Sequence, residues 1–175
     1  MVSRGGIKNK QQRGMVVMKK ICKFLLVAVM VLGLAGCMSD PVQTEFDNFH
    51  EVMKGQVVVD LEAMSSGAEK ALEKITDTKE LERIINEEVI PIIDQAKEKV
   101  EKVEVETEKV KAVKDKFVSA MNASKEAQSK LIEAVKNPEL ESQSVDKSNE
   151  ATKLMDEFNQ AYKDLAIELG YEFEE

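Results

Sequence analysis

The sequence has very little of what most catalytic and metal sites are built from. It contains two cysteines, Cys22 and Cys37, a single histidine, His50, and no tryptophan. It also lacks a glycine-rich phosphate loop, a His-Glu-x-x-His sequence and a Gly-x-Ser-x-Gly sequence. No catalytic set can therefore be assembled from its motifs, and we expect a protein that is not an enzyme.

What is present is a basic stretch followed by an apolar one near the start of the chain. Three lysines at positions 19, 20 and 23 precede an apolar run of 12 residues, 24–35. A membrane-spanning helix needs about 20 apolar residues, so this run is too short to span a bilayer. A basic region, a short apolar region and small residues before a cleavage point are typical of a secretory signal peptide. The run ends in Leu34-Ala35-Gly36-Cys37.

These four residues resemble the lipobox of bacterial lipoproteins. The resemblance implies recognition of Leu34, Ala35 and Gly36 by a signal peptidase, cleavage before Cys37, and transfer of a diacylglyceryl group to the Cys37 thiol. It places the protein on the outer face of a bacterial cell membrane, anchored by lipid. Apart from this lipid we expect no cofactor. Residues 18–36 are then the signal peptide and 37–175 the anchored domain, while 1–17 are either a start site assigned too early or an extended n-region.

Processing at this point would leave a strongly acidic protein. Residues 1–36 contain 7 basic and no acidic residues, so 18 basic and 33 acidic residues remain, a net charge of −15. This charge disfavours nucleic acid as a partner, because nucleic-acid binding depends on Lys and Arg. It also provides no basic patch for anionic lipid headgroups, so attachment to the membrane would depend on the lipid.

The anchored domain would also lack free cysteine. Cys22 would leave with the signal peptide and Cys37 would carry lipid, so neither a disulfide nor a cysteine ligand remains. His50 alone does not make the usual zinc set of three or four ligands, and we expect no metal site. It is predicted to lie on the solvent-facing flank of a helix.

The remaining sequence has the spacing of long amphipathic helices. Apolar residues recur every three or four positions and predict helices over 41–75, 78–136 and 138–169. Asp40, Asp77 and Asn137 are placed to cap them. We expect a bend near Gly67 and a looped or frayed segment over 141–149.

These helices predict an all-α fold, with two arrangements open. The first is an elongated antiparallel bundle of three long helices with a kink at Pro91. The alternative is a four-helix up-and-down bundle with a turn near 104–108, close to where Val103-Glu104-Val105-Glu106 alternates with a period of two. The same apolar faces can pair between chains, so a homo-oligomer also stays open.

In its Lys- and Glu-rich helical body and its C-terminal segment 150–168, the domain resembles helical lipoproteins of Gram-positive bacteria described as cell-wall-binding. The resemblance implies a non-enzymatic module that binds an envelope component, either a cell-wall polymer or an envelope protein. It carries over no functional residue. The alternative is an exclusion or immunity lipoprotein that acts against a toxin, a phage or a plasmid system.

Overall fold

The structure is a computed structural model that describes residues 30–31 and 40–173. Two helices are interrupted by a π-helical segment: α1 comprises Pro41–Val52, the π segment Met53–Val57 and Val58–Glu73, and α2 comprises Thr78–Ile84, the π segment Ile85–Val89 and Ile90–Glu101. Helix α3 is Glu108–Lys136, and α4 is Glu141–Glu168 after a 3-10 turn at Pro138–Leu140. Strand β1, Met30–Val31, pairs antiparallel with β2, Glu172–Phe173.

The all-α prediction is confirmed, and the described residues form four helices. The three-helix arrangement placed one helix over 78–136, whereas the structure has two helices, with a turn at 102–107 between them. This is the division of the four-helix alternative, with the turn close to 104–108. Val103 is buried in the turn and Val105 packs against the core, which accounts for their alternation in the sequence.

The predicted caps are confirmed where the helices begin. The Asp40 carboxylate accepts from the Val42 N–H at 3.0 Å, and Asp77 accepts from the Glu80 N–H at 3.2 Å. Asn137 accepts from the Glu139 N–H at 3.2 Å and starts the 3-10 turn before α4. These side chains satisfy backbone donors that have no partner inside the helix.

Ion pairs between neighbouring helices show that α1 to α4 run alternately up and down. At least two ion pairs join each pair of consecutive helices. The farther along the first helix a residue lies, the nearer to the start of the second helix its partner lies, as antiparallel packing requires. The pairs are Asp60–Lys99 and Lys70–Glu88 between α1 and α2, Asp94–Lys125 and Glu82–Lys136 between α2 and α3, and Glu126–Lys147 and Lys109–Glu168 between α3 and α4.

Where the sequence predicts a kink at Pro91, the structure has the π segment Ile85–Val89, which ends two residues before the proline. Proline has no N–H to continue the α-helical pattern, and a π segment is one way for a helix to absorb this. The bend predicted at Gly67 is wrong, because residues 58–73 form one α-helix. A Cβ added at Gly67 would lie 3.1 Å from Val89 Cγ2, so the missing side chain allows α1 and α2 to approach closely.

Most of the core is one cluster of apolar residues contributed by all four helices, with Phe46, Phe49 and Phe117 fully buried. Three of the methionines, Met53, Met64 and Met121, lie in it. Between α3 and α4 a second cluster consists of small residues, Ala123, Ala127 and Ala151, with Leu154 against them. Small side chains at a helix interface permit a short distance between the helix axes.

Helix α4 includes the residues predicted to be looped or frayed, 141–149, so that expectation is wrong. Ser144 and Ser148 are buried, and the Ser148 hydroxyl donates to the Ser144 carbonyl at 2.9 Å. This bond lies within the helix, so the serines need no loop to satisfy their hydroxyl groups. At its far end α4 stops at Glu168, one residue before the predicted end at 169, and Gly170 follows. The Tyr171 N–H bonds the Ala166 carbonyl and the Gly170 N–H bonds the Ile167 carbonyl, which is a Schellman motif.

Candidate functional site

The single histidine is buried, which corrects its predicted place on a solvent-facing flank. His50 is 3% exposed, and its Nδ1 is hydrogen-bonded to the hydroxyl group of Tyr162, a residue of α4. Phe46 lies beside both, with its ring centroid 5.3 Å from that of Tyr162. The contact joins the N-terminal part of α1 to the C-terminal part of α4.

A second polar contact lies beside the first. The Tyr171 hydroxyl accepts from Gln43 Nε2 at 2.8 Å and donates to Asp47 Oδ1. Gln43 Nε2 also bonds Asp47 Oδ1, at 3.2 Å. Because Tyr171 follows the Schellman turn, Gly170 places this side chain on α1. We call the five residues that make these polar contacts the His50 cluster: Gln43, Asp47, His50, Tyr162 and Tyr171.

Burial dominates the electrostatics of the His50 cluster. It lowers the pKa of His50, and Lys54 lowers it further, whereas Glu51 and Asp47 act in the opposite direction. Burial also raises the pKa of Tyr162, with a smaller effect from Glu51. Both groups are therefore neutral near pH 7.

The arrangement is suited to joining helices. A general base needs to reach a proton on a substrate, and an imidazole 3% exposed that is bonded to a tyrosine hydroxyl is enclosed by the protein. A buried polar pair that is satisfied in only one geometry favours one alignment of α1 against α4.

Sequence reasoning missed this site although a signal was present. Position 50 lies four residues after Phe46 and three before Met53, both on the apolar face of α1. That spacing puts His50 on the buried face of a helix, and a polar residue there needs a partner. The partner could not be identified, because Tyr162 is 112 positions away.

The turn between α2 and α3 is held by two charged side chains from outside it. The Glu45 carboxylate of α1 accepts from the N–H groups of Glu106 and Thr107 at 3.1 and 2.9 Å, and also from the Thr107 hydroxyl. These bonds, the one from the Thr107 hydroxyl first, lower the pKa of Glu45. Lys114 Nζ donates to the carbonyls of Glu101 and Val103 at 2.9 and 2.6 Å.

The residues predicted to carry the lipid and to direct processing, Leu34, Ala35, Gly36 and Cys37, lie outside the described residues. Strand β1, by contrast, is described and falls within the predicted signal peptide, so cleavage before Cys37 would remove its pairing with β2. Over the range that the structure covers, no three His, Cys, Asp or Glu side chains are grouped so as to hold a metal ion. None of the helices described is long and apolar enough to cross a membrane.

No protein family, curated protein or solved structure matches this chain.

Proposed function

We propose that this chain is a lipid-anchored bacterial surface lipoprotein without catalytic activity, whose helical domain binds a component of the cell envelope. The observation that carries the proposal is the tetrad Leu34-Ala35-Gly36-Cys37, placed at the end of a 12-residue apolar run that follows three lysines. The lipobox-like tetrad, the short apolar run and the basic residues support export and lipidation together.

The helical domain supports the proposal by its position after Cys37. Only three residues separate Cys37 from Pro41, where α1 begins. The proposed anchor would therefore hold the N-terminal end of α1 close to the membrane. Two acyl chains on one cysteine give stable attachment, since each buried CH₂ contributes about 0.8 kcal/mol.

The first experiment tests lipidation and processing. A bacterium expressing the full chain is grown with a fatty-acid analogue that can be coupled to a dye, and the protein is then isolated. We expect the wild-type chain to carry the label and to begin at Cys37 by mass spectrometry. Cys37→Ser should carry no label and keep its leader. Cys22→Ser is the matched control and should behave as wild type. A label that persists in Cys37→Ser would refute the assignment.

The second experiment tests the partner. The soluble fragment 38–175 contains every residue that the structure shows as buried. It is sedimented with isolated cell-wall sacculi, with and without their anionic polymers, at low and moderate salt. Retention in the pellet is the expected result, and loss of retention at moderate salt would attribute it to charge. If the fragment stays in the supernatant throughout, cell-wall binding is refuted and the envelope partner must be a protein, to be sought by crosslinking at the membrane.

A further inference from the structure

The contact between α1 and α4 contains the single imidazole of the chain, and this imidazole is buried. His50 Nδ1 is bonded to the Tyr162 hydroxyl, and the His50 ring stacks at 6.1 Å, centroid to centroid, on the Tyr162 ring. The centroid of the Tyr171 ring is also 6.1 Å from that of the His50 ring. Two tyrosines and Phe46 enclose His50. A charged imidazole would therefore lose its water shell on folding, and the surrounding rings would not replace it.

The charged groups with the largest effect on His50 all belong to α1. Asp47 and Glu51 favour the protonated form, whereas Lys54 disfavours it. Asp47 already accepts from Gln43 and Tyr171, so its oxygen is occupied by neutral donors. From α4 the Tyr162 hydroxyl faces His50, and burial, which raises its pKa, keeps it uncharged near neutral pH. From the segment after α4 the Tyr171 ring faces His50.

Protonation also conflicts with the hydrogen bond itself. In the neutral tautomer with a bare Nδ1, the Tyr162 hydroxyl donates its proton to that nitrogen. An imidazolium carries a proton on both nitrogens, so the hydroxyl must rotate and accept instead. Tyr171 is tied to the same contact. Its hydroxyl is bonded to Asp47 and Gln43 of α1, and its ring packs near the His50 ring.

We propose that His50 is a pH-sensitive switch: its protonation loosens the contact between the N-terminal part of α1 and the C-terminal end of α4, including Tyr171, while the rest of the bundle stays folded. The helix pair α3–α4 remains packed through its alanine cluster, and α1 remains packed on α2 through Gly67 and Val89. Neither contact contains a histidine.

The direction of the pH dependence follows from burial. A histidine that is harder to protonate in the folded state binds fewer protons than it does in the unfolded state, where its pKa is about 6.5. The closed form, in which α1 and α4 are in contact through His50, then has its full stability above about pH 6.5. It loses stability as the pH falls towards the folded-state pKa. Within that window the equilibrium between closed and open forms changes by up to about tenfold per pH unit.

The test uses the full chain, purified in a mild non-ionic detergent with an affinity tag that contains no histidine. With ¹³C,¹⁵N-histidine labelling, the NMR spectrum then shows His50 alone, and its titration gives the folded-state pKa directly. We expect a pKa below 6.5. Substitution of two exposed neighbours should shift the pKa of His50 in opposite directions. Glu51→Gln should lower it further and Lys54→Gln should raise it. A folded-state pKa of 6.5 or above would overturn the proposal without any variant.

Hydrogen exchange locates the opening. Protection, corrected for the intrinsic effect of pH, should fall between pH 7.5 and pH 5 in residues 41–52 and 158–171, and should persist in 118–132 of α3. In His50→Gln, whose side chain does not titrate and still offers an acceptor to Tyr162, this difference should disappear. An equal loss of protection in all four helices, or the same pH dependence in His50→Gln, would overturn the switch.

Discussion

The close approach of α1 and α2 at Gly67 provides a test of the packing. The Cβ of Gly67→Ala would lie 3.1 Å from Cγ2 of Val89, a residue with 0% exposure. Alanine gains about 1 kcal/mol over glycine in a helix interior. Overfilling a packed core costs about 1–3 kcal/mol, and a β-branched valine has little rotamer freedom with which to yield. We expect Gly67→Ala to lower the free energy of unfolding by up to about 2 kcal/mol.

Gly55 is the matched control for this substitution. It lies in the π segment of the same helix and is exposed, and a Cβ there would meet no atom within 4 Å. Its φ is not positive, so alanine fits the backbone. Gly55→Ala should therefore raise the free energy of unfolding by up to about 1 kcal/mol. The two glycine substitutions are predicted to have opposite signs.

The assay is urea unfolding of the fragment 38–175, followed by circular dichroism at 222 nm and analysed with a two-state scheme. The Gly67→Ala substitution is made again in a Val89→Ala background, where the opposing methyl groups are gone and the substitution should become stabilising. The coupling energy from this double-mutant cycle should be about 1–3 kcal/mol, which is the overpacking cost that Val89→Ala relieves. If Gly67→Ala stabilises the protein in the presence of Val89, the two helices yield freely and the close-contact argument is refuted.

Three further substitutions test other parts of the fold by the same unfolding assay. Phe117→Ala removes a fully buried ring that packs edge-on against Phe158 with centroids 5.1 Å apart, and should cost about 3–5 kcal/mol; a cost below about 1 kcal/mol would contradict the core described above. Gly170→Ala puts a Cβ on a residue with φ of 84° and should cost about 1–2 kcal/mol, whereas Gly170→Asn should cost less. Asp77→Ala should cost about 1 kcal/mol, and Asp77→Asn almost nothing.

Features that depend on neighbours in the chain could be predicted from the sequence. The caps Asp40, Asp77 and Asn137 each act on an N–H two or three residues away, so the information lies within a few positions. Gly170 ends α4 for a reason equally local, since it adopts a positive φ. The all-α class follows from the spacing of apolar residues alone.

The turn between α2 and α3 could not be predicted with the same certainty, because its stabilising groups come from elsewhere. Residues 102–107 contain no glycine, proline or asparagine. Glu45 provides the acceptors for the start of α3 from 62 positions away. Lys114 donates to the carbonyl of Glu101, the last residue of α2, and to that of Val103 in the turn. A turn made in this way has no strong local signature. The sequence therefore does not decide between one long helix over 78–136 and two shorter helices.

The candidate site illustrates the same limit. The spacing from Phe46 places His50 on the apolar face of α1, but its exposure depends on whether another element covers that position. Tyr162 and Tyr171 do so only because α4 returns antiparallel and the Gly170 turn redirects the chain. The proposed lipobox, residues 34–37, is the opposite case: it would be recognised as a contiguous sequence, so predicting it requires only residues that are neighbours in the chain.

The position of the His50 cluster gives the two proposals a common geometry. If lipid is attached at Cys37, α1 leaves the membrane from Pro41, and at 1.5 Å per residue its other end lies roughly 50 Å away. The cluster is then at the membrane-proximal end, with the turn between α2 and α3, while the turn at 74–77 and Asn137 lie at the far end. A change in protonation would therefore act next to the anchor. A cell-wall polymer bound at the far end of the bundle would not touch the cluster, so wall binding there and the response to pH should be separable by the His50→Gln variant.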